Sequence, residues 1–176
     1  MIILKNRVKA LCFVACLSFV LSGYCRADIG QEPLTSAMTL FYRGEIKPVP
    51  QNSAEAKELE KATMDLLGTM RRIVLKAYPE TENELKQKGI CLEISFKVLT
   101  LIKSNSNGKP ILQVLRVLIP LKGRSVGIET FEGKVTALHV FQEEVQTASS
   151  GPFGITASTD EIQKILQRMS LLPYKD

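Results

Sequence analysis

Two periodicities of hydrophobic and polar positions divide the chain. Between residues 52 and 78 apolar side chains recur every three or four positions, at Leu59, Ala62, Leu66, Leu67, Met70, Ile73, Val74 and Ala77. Glu58, Lys61, Asp65, Arg72 and Lys76 fall largely off that stripe, so the pattern predicts a long amphipathic helix with one buried face. Asn52 is placed as its N-cap with Glu55 three residues on, and Pro79 ends it by removing an amide and restricting Tyr78. A shorter helical turn is predicted from Thr81 to Lys88, where Thr81 and Glu84 have capping-box spacing and Gly89 supplies the stop.

From Cys91 to Gln142 the period drops to two. Leu92, Ile94, Phe96, Val98 and Ile102 alternate with Glu93, Ser95 and Lys97, which predicts a strand with one buried and one wetter face. Residues 111–121 are apolar on both faces and read as a central strand. Asn107-Gly108, Gly123-Arg124 and Glu132-Gly133 mark tight turns, giving four strands at about 91–103, 110–121, 125–132 and 134–142 in an antiparallel meander. An earlier strand is expected at 37–46. Residues 143–158 lose all periodicity and read as a long loop. A last helix starts at Ser158 or Thr159, with Ser158 and Glu161 at capping-box spacing, an apolar face of Ile162, Ile165, Leu166 and Met169, and Pro173 beyond it.

The expected fold class is therefore α+β: a long N-terminal helix packed on a four- to five-stranded antiparallel meander, with a short C-terminal helix. In element order this resembles the cystatin-like arrangement. The likeness is architectural, rests on no shared motif, and implies no activity.

Residues 1–27 stand apart. Lys5, Arg7 and Lys9 precede an apolar run from Ala10 to Leu21, and Cys25-Arg26-Ala27 offers small residues at the two positions read before cleavage. That is the order of a cleavable signal peptide, and the run is shorter than the ~20 residues a membrane span needs. Tyr24 ahead of Cys25 disfavours lipidation. The expected organisation is a signal peptide over 1–27 and a single mature domain over 28–176, secreted or periplasmic, with no permanent membrane span after cleavage.

Removing the leader changes what composition implies. Its four charges, Lys5, Arg7, Lys9 and Arg26, are all basic; of 23 Lys and Arg, 19 remain against 18 Asp and Glu. A near-neutral domain lacks the basic footprint of nucleic-acid binding. Cys12, Cys16 and Cys25 also leave, so Cys91 alone remains and no intramolecular disulfide can form.

Candidate chemistry is sparse. A thiol nucleophile needs a base, and only the Cys91/His139 pair offers one; it defines the alternative reading, a small hydrolase or thiol enzyme. A structural zinc site needs more Cys and His ligands than the mature chain has, and no cofactor is expected. Adjacent Glu143 and Glu144 point to opposite faces of a strand end, and Glu80, Glu82 and Glu84 read as solvated charges at a helix start. Gly151-Pro-Phe-Gly154 lacks the setting of a phosphate-binding loop. The 143–158 loop carries Phe153 and Ile155, which either dock a partner or fold back as a plug over the sheet. The leading expectation is an exported non-catalytic module that binds a protein, peptide or envelope component through the exposed sheet face or this loop.

Overall fold

The alternation read from Cys91 onward decides the architecture, because the strand that carries it is covered on both faces. The computed structural model describes residues 35–103, 110–141 and 153–174. Its strands are β1 (Thr35–Tyr42), β2 (Glu45–Pro48), β3 (Arg71–Arg72), β4 (Ile90–Lys103), β5 (Pro110–Lys122), β6 (Ile128–Thr130), β7 (Gly133–Phe141) and β8 (Phe153–Ile155). Three short helices accompany them: α1 (Ala54–Leu67), α2 (Glu82–Lys88) and α3 (Asp160–Arg168). All strand pairings are antiparallel, in the order β2-β1-β4-β5-β7-β8-β3, with β6 pairing beside β7.

One face of the sheet presents Met38, Leu40, Leu92, Ile94, Val117, Ile119, Leu138 and Val140. They pack with Leu59, Leu66 and Leu67 of α1 and Ile162, Ile165 and Leu166 of α3 in the main core. The opposite face is covered in part by α2, whose Leu85 packs on Cys91, Leu118 and Phe141. The α2 capping box forms as its spacing predicts: Glu84 N donates to Thr81 Oγ1 at 3.2 Å and Thr81 N donates to Glu84 Oε2 at 3.0 Å. Around Leu85 a charged cluster ties helix to sheet, with Arg116 bridging Glu82 (2.6 Å) and Glu93 (2.9 Å) and Lys86 bridging the same two carboxylates. Burial resists charge on Glu82, but the hydrogen bonds from Arg116 and Lys86 outweigh it and hold its carboxyl below the usual range.

The expected long N-terminal helix on a four- to five-stranded meander, in cystatin-like order, is not what the chain forms. Eight strands and three short helices replace it. The first helix is 14 residues long and ends at Leu67. Gly68 disfavours continuation by about 1 kcal/mol relative to alanine, and the Thr69 hydroxyl bonds back to the Leu66 carbonyl at 2.7 Å. Met70 then turns into the core, and Arg71 and Arg72 find strand partners in Gly154 and Phe153. The N-cap is Ser53 rather than Asn52, its side chain accepting from Ala56 N at 3.0 Å.

The strand expected at 37–46 is a hairpin, turning at Arg43 and Gly44, both at positive φ. The four later strands are not a simple meander either, since β5 pairs directly with the far half of β7 and β6 with its near half. Part of the expected 143–158 loop, Phe153–Ile155, is a strand. The expected C-terminal capping box does not form, because the Thr159 hydroxyl accepts from Gln163 Nε2 and Ser158 Oγ caps only Asp160 N. The leader and the Glu143-Glu144 pair lie outside the described residues.

Candidate functional site

The segment expected to finish the first helix builds the most distinctive feature of the surface. Released from β3, residues 73–79 form a strap over β8 and β7. Ile73 rests on Gly154, where an added Cβ would meet its Cδ1 at 2.5 Å, so the strap's close approach depends on a missing side chain. Leu75 makes an isolated bridge to Thr130, and Lys76 N donates to Glu129 O at 3.2 Å. Tyr78 and Pro79 then carry the chain to Glu80.

Glu80 fixes the end of the strap. Expected as a solvated charge, it is buried. Its carboxylate Oε2 accepts from Ser125 N at 2.9 Å and from Ser125 Oγ at 3.0 Å, while its own amide donates to Ser125 Oγ at 3.1 Å. Gly123, at φ +139°, makes room: a Cβ there would lie 2.7 Å from Oε2. The amide and hydroxyl of a buried serine thus replace the water a carboxylate loses on burial.

Between strap and sheet lies a cleft of about 590 Å³, lined by residues 73–79 and by Ala137, Leu138 and His139 of β7. Ala137 and Gly154 are partners in register; Ile73 fills the space over Gly154, and the small Ala137 lines the cleft. Its mouth carries Val74 (68 % exposed) and Tyr78 (96 %), and Phe131 (79 %) stands close by with Lys76 Nζ 5.0 Å from its ring. A second hollow of about 300 Å³ continues past Ile73 and Val74 toward Thr130, Phe131 and Glu132. Exposed aromatic and aliphatic side chains gathered at a concave surface mark an interaction site more often than scattered ones do.

The polar element of the cleft is His139. It is buried, and its Nε2 has no hydrogen-bond partner. Burial lowers its pKa from the ordinary value, although the nearby Glu80 backbone and the Glu82 and Glu80 charges favour the protonated ring. A lowered folded-state value means the unfolded chain takes up the proton first as pH falls. Stability is therefore full above the unfolded value near 6.5 and declines as pH drops through it toward the folded value. His139 is the only histidine in the sequence. Urea unfolding is thus expected to show stability falling from about pH 7 to 5.5, by at most ~1.4 kcal/mol per pH unit, and His139→Phe should flatten that slope. A wild-type slope of zero, or one of opposite sign, would contradict the neutral buried ring.

Cys91 and His139 are not brought together. Cys91 pairs with Pro120 and His139 with Leu118, so β5 lies between them with a two-residue offset. Strand spacing then separates their Cα atoms by roughly 12 Å. Burial, only partly countered by the Lys86 charge, pushes the Cys91 thiol up to about 12, so it carries no thiolate near neutrality. The Ser125 hydroxyl proton is committed to Glu80. Phe153 and Ile155 are both 0 % exposed, in the sheet between β7 and β3 and facing the main core. Their side chains are thus withdrawn from the surface at which a partner would dock.

Among the described residues no three His, Cys, Asp or Glu side chains gather where a metal ion could be held, and no helix is long and apolar enough to cross a membrane. Sequence reasoning missed Glu80, Ser125, Tyr78 and Phe131. The available signals were an aromatic immediately before Pro79 and a bulky apolar residue at the tip of the Glu132-Gly133 turn, where polar residues are usual. No family model, no curated protein and no solved structure matches the chain, so the cleft is read from its own chemistry.

Proposed function

We propose that the mature chain is an exported, non-catalytic binding module that holds the apolar part of its ligand in the cleft beneath residues 73–79. The observation that carries this reading is the cleft itself: about 590 Å³, within the range of ligand sites, and lined mostly by apolar residues. The basic and apolar order of residues 1–27 supports export. Phe153 and Ile155, at the described end of the expected loop, are buried in the core, whereas the strap carries exposed apolar side chains beside a cleft.

The test is amide chemical-shift mapping of the 15N-labelled protein with indole and benzyl alcohol as apolar probes. Perturbations are expected to cluster on residues 73–79 and 137–139. Ala137→Leu, which fills the floor, is expected to weaken binding at least about tenfold while the spectrum stays dispersed. Perturbations confined to the exposed apolar residues Val98, Leu99 and Leu101 of β4, or none at all, would sink the proposal.

A further inference from the structure

We propose a second binding site, for a phosphate group, in the hollow of about 110 Å³ where the β1–β2 turn, the start of β4, the end of β5 and α3 meet. It shares no residue with the cleft beneath the strap. Tyr42, Ile90 and Lys122 stand in one register row across β1, β4 and β5. Two strand spacings therefore separate Tyr42 from Lys122, about 10 Å between Cα atoms. Arg43 follows Tyr42 in the turn, and buried Ile90 lies between the two cationic walls.

Charge and size select the ligand. Arg43 and Lys122 both line the hollow, neither pairs with a carboxylate of another described residue, and no Asp or Glu lines it. Cations in an acid-free hollow concentrate anions. A guanidinium offers a fork of N–H donors that matches phosphate oxygens, and an ammonium adds a point charge. Gln163 gives both amide hydrogens to Leu121 O and Thr159 Oγ1, which fixes α3 against the end of β5. Gln167 uses one on Pro173 O at 3.1 Å and keeps the other for a ligand. Sites for whole small molecules begin near ~300 Å³, so this smaller hollow suits a single charged group. The backbone supports the same assignment. Arg43 sits at φ +52° in a two-residue hairpin turn, where asparagine or glycine is the residue of choice. A long cation held in that disfavoured conformation, with its amide bonded to Gly89 O at 2.9 Å, serves the hollow better than it serves the turn.

The test is titration of the 15N-labelled exported protein with sodium phosphate, against sodium chloride and sodium acetate at matched ionic strength, above about pH 7 where phosphate carries nearly two charges. Phosphate is expected to shift the amides of Arg43, Gly44, Lys122 and Gly123 saturably and to leave those of 73–79 in place. Arg43→Asn and Lys122→Gln are each expected to weaken binding about tenfold. Arg43→Asn should do so without loss of stability, because asparagine suits the turn. Lys134→Gln removes an exposed cation elsewhere on the sheet and should leave the affinity unchanged. Vesicles of phosphatidylcholine with and without phosphatidic acid separate two sources of the group. Sedimentation only with phosphatidic acid, reversed by free phosphate, assigns the site to a lipid headgroup, and phosphate binding without sedimentation assigns it to a soluble phosphate. The absence of a saturable phosphate shift, or equal shifts with acetate or chloride, would overturn the assignment. So would a loss in Lys134→Gln as large as that in Arg43→Asn.

Discussion

Truncating Phe153 to alanine is expected to lower the unfolding free energy by about 3–5 kcal/mol. The ring is fully buried in the main core, on the middle strand of the β7-β8-β3 edge, with the Arg72 guanidinium 5.7 Å above it. Removing it opens a cavity that rigid sheet neighbours cannot close. Tyr78→Ala is the control, since a side chain 96 % exposed should change stability by no more than about 0.5 kcal/mol. Urea titrations of both variants decide the matter. Were Phe153→Ala to cost less than about 1 kcal/mol, the residue would behave as an exposed loop tip, and its placement in the core would be wrong.

The second large effect belongs to the clamp at the end of the strap. Ser125→Ala removes a hydroxyl that both donates to the Glu80 carboxylate and accepts from the Glu80 amide. The substitution weakens the support of a buried carboxylate and leaves a buried amide unmatched, which is expected to cost about 2–4 kcal/mol. Gly123→Ala should act in the same direction, because its methyl would press on the same carboxylate from a positive-φ position. The two changes strike one network, so the double variant is expected to lose less than the sum of the singles. Amide exchange should also accelerate at Lys76 and Glu80, whose amides bond to Glu129 and Ser125. Protection that stays unchanged there in Ser125→Ala would show that the clamp does not hold the strap.

The parts of this fold legible in the sequence are those set by near neighbours. The Thr81–Glu84 capping box needs only three residues' spacing, and it forms. Leu92 and Ile94 alternate with Glu93 and Ser95, and the strand's two faces follow. The helical stripe misled beyond Leu67 because Met70, Ile73 and Ala77 continue a spacing of three and four that an irregular segment can also satisfy. Met70 fills the core, Ile73 covers Gly154 and Ala77 lines the cleft. The hairpin at Arg43-Gly44 was hidden by an arginine at φ +52°, a conformation that favours glycine or asparagine. Three-residue strands such as Phe153–Ile155 leave no periodicity to count.

The cleft was illegible for a further reason. It joins residues 73–79 to residues 137–139, segments far apart in the chain, and the small Ala137 is part of its lining. His139 was singled out as a possible base for Cys91. Its significance lies instead in its burial and its unpartnered Nε2, neither of which a lone histidine in a sequence announces.

Intermolecular nuclear Overhauser contacts from bound indole to a methyl-labelled sample test the binding cleft most directly. Contacts to the methyls of Ile73, Val74 and Ala137 are predicted. Contacts confined to Val98, Leu99 and Leu101 on β4, with none to the strap or to β7, would contradict it.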